Sequence, residues 1–373
     1  MVYSVTREAE GVLRKLAAAP RVKELNLQYS QGWNETTDRK KGFFDTEWTV
    51  PASWEDVILQ GPHFGVATPF SKQPNPTLKH NQDWSEIDLE AMPTDFIPAT
   101  AYQPSRSGRN YDSGYPSQTS YDGNRSDRFT YRLVWRKMAA QTGFRTLYIS
   151  VIPPKSTFVL SMISASPLNA VNPAEVLARQ GATSSSILSD FVVRSSGLAN
   201  INQGFFDILP RFSSNPFYVK LDQRFLKLIC LTSAYAPLWK EVTGTEWTPE
   251  VPVRKGEERR QAQVEIDALV ALSLGVTADE LCMIYRTQFP VMRRYDSQDL
   301  FDANGRKVAE DVAKLQRKLK PGQELSQEER TWIHPQSGAT YVFEYPFRIL
   351  DREADMRAAY ERFKRELAQG ELS

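Results

Sequence analysis

The sequence predicts an α+β fold, with a β-hairpin or small sheet ahead of a helical C-terminal region. Three observations lead there. Residues 129–136 and 145–152 alternate apolar and polar side chains with the period of a strand. The C-terminal third repeats the apolar spacing and capping signals of helices. A chain of 373 residues, 41% hydrophobic and 24% charged, also suffices for a buried core and for two or three domains.

At the N-terminus, Val12, Leu13, Leu16 and Ala17 fall on one side of a helix that Pro20 stops. From Gln28 to about Pro104, short apolar segments are broken by Gly, Pro and Asn, as in Gly61-Pro62-His63-Phe64-Gly65, so loops hold this stretch together. Residues 103–128 lack an apolar period, are rich in Ser, Gly, Tyr and Arg, and read as a long exposed loop. Phe129, Tyr131, Leu133 and Trp135 then alternate with Thr130, Arg132, Val134 and Arg136. With 145–152 they predict a hairpin whose polar face carries Arg132 and Arg136.

Helices follow. Asn172 and Pro173 start a short one ending at Gly181, and Ser184 to Ser186 cap a second that ends at Gly197. A longer helix is expected over 218–242, and another over 256–273 that stops near Gly275. Thr277 and Glu280 spell a capping box for 278–288, with further charged helices over 305–319 and 352–369. Three regions result: a mixed α/β segment 1–104, a loop-and-hairpin segment 105–215, and a helical segment 216–373.

The charge is segregated along the chain. Its 46 Lys+Arg and 45 Asp+Glu give a net charge of +1. Residues 1–100 carry 10 basic and 14 acidic side chains, residues 101–230 carry 15 and 7, and residues 231–373 carry 21 and 24. A middle of net +8 therefore lies between flanks of −4 and −3. Basic side chains mixed with Tyr102, Tyr111, Tyr115, Tyr121, Phe129, Tyr131 and Trp135 are what phosphate neutralisation plus base contacts require. A solvated strand face beside an ordinary loop has the same composition, and both readings stand.

Other classes find little in the residues. No signal-peptide pattern opens the chain and no run approaches the ~18 apolar residues that span a bilayer, so a cytoplasmic protein without membrane contact is expected. Cys230 and Cys282, with only three histidines, offer neither a disulfide framework nor a zinc spacing. His63 reads as a satisfied loop histidine. Phosphate loops, serine-hydrolase elbows and zinc-protease helices are missing. Asn215-Pro216-Phe217-Tyr218 lacks the second proline of the tetrad with which amino-methylating enzymes hold an extruded adenine, and reads as a turn leading into a helix. Asp38-Arg39-Lys40 is similar to half of a metal-dependent nuclease site, without the partner acid.

Nine segments follow one another along the chain: Ile58 to Phe70, Trp84 to Leu89, Thr100 to Gln103, Tyr131 to Arg136, Arg145 to Pro154, Ile187 to Pro210, Glu265 to Leu272, Gly275 to Leu281 and Asp351 to Tyr360. In that order they resemble the C-terminal part of bacterial adenine-N6 DNA methyltransferases of combined restriction-modification enzymes and of the BREX and DISARM phage-defence systems. The family's S-adenosyl-L-methionine-binding Phe-x-Gly-x-Gly and its Asn-Pro-Pro-Tyr/Phe tetrad are not in this chain.

The resemblance thus implies a target-recognition domain over 105–215 and a docking scaffold over 216–373, serving a catalytic methyltransferase partner that binds S-adenosyl-L-methionine. Double-stranded DNA is the implied ligand. Arg106, Arg109, Arg125, Arg128, Arg132 and Arg136 are expected at phosphates or guanine edges and Lys155 at a phosphate. Asn200, Asn202 and Gln203 are expected at adenine edges. Arg145 has two readings, DNA contact or structural support, as does the Arg286, Arg293 and Arg294 cluster. The alternatives are a metal-dependent nuclease using Asp38 and Lys40, and a scaffold subunit of a defence complex without DNA contact.

Overall fold

The computed structural model describes residues 6–105, 111–212, 216–320 and 322–370. Four strands make the main sheet: β1 (Gln28–Gln31), β2 (Arg132–Arg136), β3 (Ile149–Ile152) and β4 (Met162–Ser166). Their order is β1-β4-β2-β3, antiparallel throughout. The expected hairpin is present, with Arg132 opposite Ile152 and Trp135 opposite Ile149.

Both faces of this sheet are covered. Leu133, Trp135, Ile149, Val151, Ile163 and Ala165 face a large core shared with the helices. Val134, Ile152 and Met162 face a second core of Trp33, Phe44, Phe64, Tyr115 and Phe158. The alternation in 129–136 predicts one solvated face. That expectation fails because aromatic rings from distant segments close over the Arg132, Val134 and Arg136 side.

The helices are α1 (Arg7–Ala18), α2 (Pro173–Ser185), α3 (Ile187–Ser196), α4 (Tyr218–Ile229), α5 (Ala236–Thr243), α6 (Gly256–Ser273), α7 (Ala278–Gln288) and α8 (Arg352–Gln369). Between α7 and α8 lie the short helices Pro290–Asp296 and Glu310–Gln316. Helix α2 lies on β2 and β3, and α4, α6, α7 and α8 stack behind it. Local signals place several ends as expected. Thr277 and Glu280 form the capping box of α7, Ser186 caps α3 by accepting from Ser189 N, and Gly197 at φ 65° ends it.

Three expectations are corrected. Helix α2 runs through Gly181 to Ser185, because a Cβ at 181 would collide with the Phe225 ring, so this glycine permits close packing of α2 on α4. The helix expected over 218–242 breaks at Cys230–Tyr235 and restarts at Ala236, with Pro237 in the first turn, where its missing N–H costs nothing. The helix expected over 305–319 shortens to Glu310–Gln316, since Asp302 Oδ1 accepts from Asn304 N and Arg306 N and holds 302–306 in a turn.

The three expected regions share one core. Strand β1 comes from the first and pairs with β4 of the second, and the large apolar cluster runs from Ala9 to Phe363. Residues 300–347 hold a small cluster of their own around Val308, Val312, Leu325 and Phe343. Most of the described part of 103–128 is exposed, as at 116–119 and 121–125, but Tyr111, Tyr115, Ser120, Asp127 and Arg128 are buried and anchor it to the core. Among the described residues, no helix is long and apolar enough to cross a membrane.

Candidate nucleic-acid interface

Four arginines of the basic middle, Arg128, Arg132, Arg145 and Arg194, point into the core. Arg132 is fully buried, with Nη2 donating to Ser156 O and its guanidinium near the Phe158 ring. Arg128, also buried, pairs with Asp112 at 2.6 Å and lies over the Tyr111 and Tyr115 rings. Arg136 is half-buried, donates to Phe64 O and stacks 4.1 Å from the Tyr148 ring centroid. Burial holds its guanidinium below the ordinary arginine range. Arg145 takes its structural reading, since its buried side chain pairs with Asp190 and donates to Ser185 O and Ser186 O. Placing Arg128 and Arg132 at DNA is therefore corrected: Arg128 is held against the Tyr111 and Tyr115 rings, Arg132 lies on a packed face of β2, and both side chains are buried.

Other expected residues are outside. Arg125 is exposed on a tight turn and donates to Leu168 O. Lys155, at a left-handed φ of 74°, is exposed and pairs with Glu55 at 2.6 Å. Arg106 and Arg109, and Asn215 of the tetrad, lie outside the described residues.

The most constructed surface feature is the turn 199–204. Ala139 N donates to Ala199 O, and Ile201 N donates to Lys137 O at 2.8 Å. Trp135 Nε1 donates to Ile201 O at 2.9 Å from inside the core. Asn202 Oδ1 then accepts from Phe205 N at 2.9 Å, capping the short helix Gln203–Phe206. Phe206 of that helix stacks on Trp135, with centroids 4.1 Å apart and planes within 8°. Both rings are fully buried, while Asn200, Asn202 and Gln203 are exposed.

Beside the turn is a cleft of about 350 Å³ lined by Tyr29, Gln31, Lys137, Ile163, Asn202 and Gln203. Lys137 enters no ion pair among the described residues. Tyr29 OH donates to Asp207 Oδ1 at 2.5 Å, and burial with this carboxylate raises its pKa well above the usual phenol value. The wall is thus a cation and three amide side chains on fixed backbone, a set that can donate to and accept from a base edge or a phosphate. Sequence reasoning finds the amides Asn202 and Gln203 and misses Lys137 and Gln31, although Lys137 directly follows the strand pattern at the exit of β2.

The nuclease residues are placed differently. Asp38 accepts from Asn34 N and pairs with Lys41 at 3.0 Å, in the short helix Thr37–Lys40. Among the described residues, no three His, Cys, Asp or Glu side chains group closely enough to hold a metal ion. Buried His63 sits between Gln60 and Ala99 O, and burial lowers its pKa to about 4, as in a loop support. Compared with known proteins, the chain matches no family model and no curated protein.

Proposed function

We propose that this protein is a sequence-specific DNA-recognition module of a site-specific adenine-N6 DNA methyltransferase in a bacterial restriction-modification or phage-defence system, working with a catalytic partner that binds S-adenosyl-L-methionine. The observation that carries the reading is the turn 199–204, where Asn200, Asn202 and Gln203 stand exposed on backbone fixed by Trp135 and Lys137. Asparagine and glutamine amides pair with the N6 and N7 edge of adenine, and a fixed backbone lowers the ordering cost of doing so. The ordered resemblance of Ile58 to Tyr360 to the methyltransferase family supports the same reading.

In this mechanism Lys137, Arg125 and Lys155 neutralise phosphates and set register, while the amides of the turn discriminate bases. The buried arginines stiffen the platform and touch no DNA. Fluorescence anisotropy with a labelled duplex tests it: affinity is expected at low salt and falls steeply as salt rises. Absence of duplex binding at about 50 mM salt, with and without a catalytic partner, overturns the reading. The nuclease alternative requires Mg²⁺-dependent cleavage abolished by Asp38→Ala.

A further inference from the structure

The connection 137–144 between β2 and β3 ties the amide turn to a second, distant part of the chain. On one flank it is zipped to 198–201, through Ala139 N to Ala199 O, Ile201 N to Lys137 O and Gln141 Nε2 to Leu198 O. On the other flank buried Arg194 reaches both sides of a seam, donating to Gly143 O at 2.9 Å and to Gln288 O at 3.0 Å. Phe144 meets the Tyr295 ring edge-on at 5.9 Å. The short helix Pro290–Asp296 is thereby fixed beside the same connection.

That helix carries Arg293 and Arg294, both exposed. Arg293 donates to Arg286 O, and Arg294 lies over the Tyr295 ring. Neither enters an ion pair among the described residues. The neighbouring acids are engaged elsewhere: Asp296 holds Arg352 and Tyr285 OH, Asp351 caps α8, and Glu353 pairs with Arg286. A groove of about 630 Å³ runs along this helix against Ile349 to Glu353.

We infer that Arg293 and Arg294 form a phosphate-binding rim that continues the Lys137 and Asn202 face, and that the phosphodiester backbone of duplex DNA crosses this rim. The inference rests on the DNA reading above and adds, to the phosphate contacts of Lys137, Arg125 and Lys155, contacts from a helix in the segment of net −3. Arg194 is a positioning residue that holds the two parts of the face in one register.

The experiment is a salt titration of binding to a non-specific duplex of about 24 base pairs, comparing wild type, Arg293→Ala/Arg294→Ala and the control Arg365→Ala, which alters an exposed arginine of α8. For each phosphate that the protein no longer neutralises, the slope of log Kobs against log salt becomes shallower by ~0.9. The double variant is expected to lose ~1.8 of the slope, with an unchanged circular dichroism spectrum, and the control none. A double variant that keeps the wild-type slope, or a control that loses as much, overturns the rim while leaving the DNA reading intact. A wild type that binds no duplex overturns both.

Discussion

Trp135 and Phe206 lie stacked 4.1 Å apart in the core, and the same indole donates from Nε1 to the carbonyl of Ile201. One side chain therefore supports the amide turn by packing and by a hydrogen bond at once.

The two roles separate by substitution. Trp135→Phe keeps an aromatic ring but leaves Ile201 O without its donor, and an unsatisfied buried carbonyl costs ~1–3 kcal/mol. Phe206→Ala removes the stacked ring and is expected to cost ~3–5 kcal/mol. Urea denaturation measures both, and a Trp135→Phe protein as stable as wild type contradicts the assigned bond.

The Arg145 and Asp190 pair distinguishes an internal arginine from an exposed one. Asp190 is wholly buried, and besides Arg145 it accepts from Thr146 N. Arg194 Nε also lies 3.6 Å from Asp190 Oδ1, so Arg145→Ala leaves the carboxylate with its more distant cation and without its nearest donor, an expected loss of ~1–3 kcal/mol. Arg125→Ala, on the exposed turn, is expected to stay within ~0.5 kcal/mol of wild type. Thermal and urea unfolding of the two variants compare them directly; equal losses sink the internal role given to Arg145.

Asp222 makes stability depend on pH. Burial raises its carboxyl to about 7, against the attraction of Arg179. A carboxylate whose folded value is raised binds its proton more tightly when folded, so the stability it contributes is full below the unfolded value near 3.8 and is lost as pH rises through about 7. Asp222→Asn removes this titration. Its stability is expected to fall less than that of wild type between about pH 4 and 8, by on the order of 1 kcal/mol or more, since one unit corresponds to about 1.4 kcal/mol. Parallel stability curves for the two proteins contradict the shift.

Local signals were legible in the sequence wherever neighbouring residues decide the structure. The Thr277 to Glu280 capping box, the Ser186 cap, the Gly197 stop and the β2–β3 hairpin all depend on contacts close along the chain. What stayed hidden depends on distant segments. No pattern near Arg132 reports that Trp33, Tyr115 and Phe158 cover its face of the sheet, so a buried arginine and a solvated one look alike in the string. Gly181 reads as a helix stop until Phe225 is known to lie against it. At the candidate site the amides were legible, whereas Lys137 beside them follows from pairing of 137–139 with 199–201.

Selection of bound sequences from a randomised duplex library tests the central claim most directly. It compares wild type, Asn202→Ser, whose hydroxyl oxygen can still cap Phe205 N without the amide donor and without added charge, and Gln203→Ala, whose side chain is exposed. Wild type is expected to enrich a defined site containing adenine. Both variants should retain stability and overall duplex affinity while losing ~1–3 kcal/mol of discrimination at one or two positions of that site. Enrichment of the same site by all three proteins, or of none by wild type, contradicts the account.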